Sequence, residues 1–127
     1  MPLADRTDKP VILLVEEDTR QRKDILAYLN EEFRVFEAGE TKGALALLEA
    51  RGDVQGLVTD AHVTGTIDGH ELARVVRQRW PDIAVIMISG HSDASSGPVP
   101  DGAEFIAKPY LLEHLAPTLR RMIGQGS

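Results

Sequence analysis

Val11-Ile12-Leu13-Leu14-Val15 is an apolar run with no polar residue inside it. Three of its side chains are β-branched, which favours a strand. The lack of alternation means that neither face of that strand can meet water. A second such run, Ile83-Ala84-Val85-Ile86-Met87-Ile88, repeats the demand. Strands buried on both faces belong to a parallel sheet covered by helices on each side.

The rest of the chain supplies those helices. Asp18 or Thr19 can cap a helix reaching about residue 30, with Ile25, Leu26 and Leu29 inward. Arg34-Val35-Phe36-Glu37-Ala38 alternates, as an edge strand does. Gly39 turns the chain into a helix over 41–50, with Ala44, Leu45 and Leu48 inward. The third strand is expected over 56–59, stopping at Asp60, with a loop over 61–69. A helix over 70–79 follows, with Leu72, Val75, Val76 and Trp80 toward the core, and Pro81 stops it. Residues 91–102 hold Ser92, Ser95, Ser96, Gly97, Pro98, Pro100 and Gly102 and read as loop with at most one helical turn. A short fifth strand, 105–107, precedes a last helix over 111–123 with Leu112, Leu115, Leu119, Met122 and Ile123 inward. Pro117 should kink that helix, at a cost of ~3 kcal/mol if unrelieved, and Gly124 should end it.

In a parallel sheet all strands point one way, so their carboxyl ends share one rim. Those ends carry Glu16 and Glu17, then Asp60, Ser89 and Lys108. Carboxylates gathered in a crevice repel unless one is protonated or a cation fills the site. Oxygen-only ligands favour a hard cation, Mg²⁺ or Mn²⁺. An ammonium and a hydroxyl beside a carboxylate that can act as a nucleophile suit an arriving oxyanion such as a phosphoryl group.

Val15-Glu16-Glu17-Asp18, Thr59-Asp60, Asp68-Gly69, Ile88-Ser89-Gly90 and Lys108-Pro109 together resemble the receiver domains of two-component response regulators. The resemblance runs from about residue 10 to 123. It implies a flavodoxin-like, doubly wound α/β fold with strand order 2-1-3-4-5. It implies that Asp60 accepts a phosphoryl group from a histidine kinase or a histidine phosphotransfer protein. It assigns Glu16, Glu17, Asp60 and the main-chain carbonyl of His62 to the metal, Glu17 more directly than Glu16. By the same resemblance Ser89 and Lys108 meet the phosphoryl group, Phe105 turns inward on activation, and His62 and His91 tune hydrolysis of the acyl phosphate. Three departures stand out. Glu17 replaces the usual Asp, Thr64 replaces the usual Pro, and 91–102 is a few residues short, so the helix between the fourth and fifth strands is degenerate or missing. Partner contact is therefore expected through the first and last helices.

The totals agree with one small domain. The chain has 127 residues, 43% of them hydrophobic, which fits one globular core. With a net charge of -6 and no basic stripe, nucleic acid is not the expected partner. No cysteine is present, so a disulfide framework and a thiolate metal site are excluded. Lone His62 and His91 lack further ligands at zinc spacing. Residues 1–9 read as a polar tail, 10–124 as the receiver and 125–127 as a second tail, with a cytoplasmic location and an uncertain oligomeric state. The expected activity is that of a phosphoacceptor, limited to self-phosphorylation from a phosphodonor and slow self-dephosphorylation, and not that of an enzyme. It would act through a downstream protein, since no output domain is in view. The alternative is a receiver-like binding module that phosphate does not switch. A flavin-binding flavodoxin is disfavoured, because Glu16-Glu17-Asp18-Thr19 stands where a phosphate loop is needed.

Overall fold

The computed structural model describes residues 9–63, 67–89, 100–107 and 112–125. Strands β1 (Val11–Val15), β2 (Arg34–Ala38), β3 (Val54–Asp60), β4 (Ala84–Ser89) and β5 (Glu104–Ala107) form one parallel sheet in the order β2-β1-β3-β4-β5. Among the described residues there are four α-helices: α1 (Thr19–Leu29), α2 (Thr41–Ala50), α3 (Gly69–Arg79) and α4 (Leu115–Gln125).

Alternation along the strands divides the core in two. Leu13, Val15, Leu57, Val85 and Met87 face α2 and α3, meeting Ala44, Leu48, Leu72, Ala73 and Val76. Ile12, Leu14, Val58, Ile86 and Ile88 face α1 and α4, meeting Ile25, Leu29, Leu115, Ala116 and Leu119. Every residue of β1 is buried, which is why its sequence shows no polar face. The edge strand β2 has no fully buried residue, and its alternation records that.

Three expectations need correction. Strand β3 starts at Val54 and keeps Asp60 inside the ladder rather than just after it. Asp60 pairs with Ile88, and the Ala61 amide donates to the Ile88 carbonyl at 2.8 Å, so the sheet's hydrogen bonding continues through the acid. Pro117 does not fall in a helix interior. A short 3-10 turn, Leu112–His114, comes first, so Pro117 is the third residue of α4. There its missing N–H has no partner to lose within the helix, and no kink is required. Nor does Gly124 end α4, which runs on to Gln125. The expected loop over 91–102, and with it the expected loss of a helix, lies mostly outside the described residues. Its last part is a turn in which the Ala103 amide donates to the Pro100 carbonyl at 3.0 Å and Gly102 has φ 88°.

Candidate functional site

Register sets the rim. Val15 lies beside Thr59, Asp60 beside Ile88, and Ser89 beside Ala107. Glu16 follows the end of β1 and Asp60 ends β3 on the adjacent strand. Both are withdrawn from water, at 3% and 6% exposure. Burying carboxylates is costly unless partners compensate, and here main-chain amides take part. Asp60 Oδ1 accepts from the His62 amide at 2.7 Å, which fixes the rotation of the carboxylate. Glu16 Oε2 accepts from the Asp18 amide at 3.0 Å. Asp18 is the N-cap of α1, its Oδ1 accepting from the Gln21 amide at 2.9 Å. That accounts for the third acid of the run as a capping group.

The loop after Asp60 is held from two sides. Asp68 caps α3 by accepting from the Glu71 amide at 2.9 Å. Gly69, the next residue, sits against the Asp60 carbonyl. A Cβ there would overlap that oxygen and come within 2.8 Å of Ala61 Cα. The Asp68-Gly69 pair is thus explained by one capping carboxylate and one close backbone approach. Thr41, fully buried at the start of α2, donates to the Ile67 carbonyl at 2.8 Å. In the sequence Thr41 reads only as a helix start. Arg22 is equally unmarked there, yet its Nη1 donates to the Glu16 carbonyl at 2.7 Å and its Nε donates to Glu37 at 3.1 Å. An arginine one turn into a helix that follows an acidic loop was the available signal.

Not every expected residue is brought in. Glu17 is exposed, whereas Glu16 is buried. His62 is exposed as a side chain and contributes to the site through its main chain. Phe105 lies beside Met87, partly buried against the α2–α3 face of the core. Ser89 is placed as the last residue of β4. Lys108, Pro109, Thr64 and His91 lie outside the described residues. Among the described residues no group of three acidic or imidazole side chains could by itself hold a metal ion. Mg²⁺ does not need such a cage. It keeps several waters and is held by one or two carboxylates, and oxygen donors from Glu16, Asp60 and the His62 carbonyl suit it by type.

The family model for the response regulator receiver domain matches residues 12–120. This chain belongs to the response regulator receiver domains. It is 34% identical over 116 residues to the hydrogenase transcriptional regulatory protein HoxA of Cupriavidus necator, covering 88% of this chain and 24% of that protein. It is 32% identical over 123 residues to the sensor kinase CckA of Brucella abortus, covering 94% of this chain and 13% of that protein. The chain therefore spans at most about a quarter of the length of these curated relatives. A crystal structure of a response regulator receiver protein from Sinorhizobium medicae superposes with a TM-score of 0.84 at 25% identity, over 95% of this chain and 99% of that one. The receiver is a domain of two-component signalling, and its five-stranded sheet has the flavodoxin-like order. Among the described residues no helix is long and apolar enough to cross a membrane.

Proposed function

We propose that this receiver is a cytoplasmic phosphoacceptor whose acceptor is Asp60, phosphorylated by a histidine kinase or a histidine phosphotransfer protein. One observation carries the reading: a carboxylate 6% exposed at the carboxyl end of a central strand, with one oxygen already oriented by the His62 amide. In the transfer, an Asp60 oxygen forms the new bond to phosphorus as the bond from phosphorus to the donor imidazole breaks. A carboxylate held in position lowers the entropic part of that barrier. Glu16, Glu17, Asp60 and the His62 carbonyl are the groups that would hold Mg²⁺, or Mn²⁺. Bound there, the ion would neutralise phosphoryl charge. Ser89 and Lys108 are assigned to the phosphoryl oxygens and Phe105 to the conformational response. The added charge of about −2 then biases the surface offered to a downstream protein, with α1 and α4 as the contact helices. Residues 10–124 are taken as the functional unit. The activity ends at self-phosphorylation and slow self-dephosphorylation.

The test is incubation with acetyl phosphate and Mg²⁺ followed by intact mass measurement. Wild type should gain one phosphoryl group and Asp60→Asn none. No gain on wild type, or equal gain on the variant, contradicts the proposal. Exposure of Glu17 favours one competing reading, a binding module that phosphate does not switch. That reading predicts no Mg²⁺ binding at millimolar concentration.

A further inference from the structure

Arg22 connects three elements at the acidic rim. It sits in the second turn of α1, with its own amide donating to the Asp18 carbonyl at 2.9 Å. Its Nη1 reaches back to the Glu16 carbonyl at 2.7 Å, and its Nε crosses to Glu37 on β2 at 3.1 Å. The Arg22 side chain is 18% exposed and that of Glu37 33%, so its contact with the Glu16 carbonyl is part-buried and the pair with Glu37 faces solvent. Glu16 is consequently gripped along its whole length. Its amide donates to the Ala38 carbonyl at 3.1 Å, its carbonyl accepts from Arg22, and its Oε2 accepts from the Asp18 amide. Glu37 fixes the guanidinium plane, so the grip is directional and a point charge would not reproduce it.

We infer that Arg22 is a positioning residue for the divalent cation, holding the Glu16–Asp18 turn in the shape that receives it. The inference rests on the metal site proposed above. It makes a prediction opposite in sign to simple electrostatics. Arg22 brings a positive charge to within reach of a cation site, so on charge alone its removal should tighten Mg²⁺ binding. If its work is to hold the turn, removal should loosen it. Loss of a group that orients a metal ligand typically costs 10–100-fold in affinity. A main-chain contact belongs at the low end of that range.

The experiment is a titration of the full chain with Mg²⁺ alone, following the amide resonances of Glu16, Asp60 and His62. Thermal unfolding is measured in parallel with and without the ion. Arg22→Met should bind Mg²⁺ about tenfold more weakly than wild type. Arg22→Lys keeps the charge but lacks the fork, so it should also lose most of that affinity. The lysine variant serves if the methionine variant does not fold. Unchanged or tighter Mg²⁺ binding in the variant measured, with or without a lower unfolding temperature, overturns the positioning role. A wild type that does not respond to Mg²⁺, or that responds just as Asp60→Asn does, overturns the metal site itself and this inference with it.

Discussion

Glu16 and Asp60, at the carboxyl ends of β1 and β3, are buried and held in large part by main-chain groups. At the amino ends of the strands, arginines lie against rings, acids and carbonyls and are held differently. Arg51 lies over the Phe36 ring at 4.2 Å and pairs with Asp53 at 2.7 Å. Arg79 lies over Trp80 at 4.4 Å and pairs with Glu49 at 3.0 Å. Arg77 donates to the carbonyls of Pro81, Ile83 and Asp101. Arginines in the last turn of α3 also complement the helix dipole. These contacts stabilise the lower rim by small increments. The upper rim instead places carboxylates in a low-dielectric setting, which costs stability. A fold retains such an arrangement where the charge has work to do.

Substitutions matched across the two rims sharpen that contrast. The largest effect is expected from Gly69→Ala. The new Cβ meets rigid backbone at Asp60 and Ala61, so urea unfolding should show a loss of about 3 kcal/mol. Phosphorylation by acetyl phosphate should slow as well, because Asp60 itself must shift. At the opposite rim Gly102 has φ 88°, and its Cβ would lie 2.6 Å from Arg77 Nη2. Gly102→Ala should cost about 2 kcal/mol and leave the phosphorylation rate of the folded fraction at the wild-type value. Equal damage to phosphorylation by both variants would erase the distinction between the rims. Asp18→Ala removes the α1 cap and should cost about 1 kcal/mol by the same unfolding measurement.

The smallest effect concerns the lower rim's charges. The Arg51 side chain hydrogen-bonds Asp53 and holds its carboxyl below the usual carboxylate range. A depressed carboxyl contributes stability above its unfolded pKa and loses it as pH falls through the folded value. The Arg51 side chain is 30% exposed and that of Asp53 51%, so water screens the pair. An NMR titration of Asp53 should therefore shift upward toward the ordinary value in Arg51→Ala, with only a small drop in the midpoint of unfolding at neutral pH. A clear drop in that midpoint would mean the lower rim does more than surface pairing.

Much of this was legible in the sequence, and for identifiable reasons. Val11–Val15 announced a doubly buried strand because burial on both faces leaves no room for a polar residue. Glu16 and Asp60 stood out because a polar residue ending such a strand must sit at the rim. The helix faces followed from Ile25, Leu29, Ala44, Leu48, Leu72 and Val76, all buried. What escaped depends on contacts between distant segments. Pro117 looked like a kink because periodicity of the leucines could not reveal that a 3-10 turn precedes α4. The third strand looked as if it stopped at Asp60 because a strand's last ladder bond depends on its neighbour, here Ile88. Arg22 and Thr41 reach carbonyls in other elements, and no spacing rule encodes which carbonyl a long or buried side chain will find.

The central claim is that one particular carboxylate takes the phosphoryl group, and the most direct test locates it chemically. After phosphorylation with acetyl phosphate and Mg²⁺, borohydride reduces an acyl phosphate to the alcohol, turning an aspartyl phosphate into homoserine. Peptide mapping by mass spectrometry should then find homoserine at position 60 and nowhere else. Reduction at Glu16, Glu17 or another acid with residue 60 intact, or no reduced residue at all, would contradict the account.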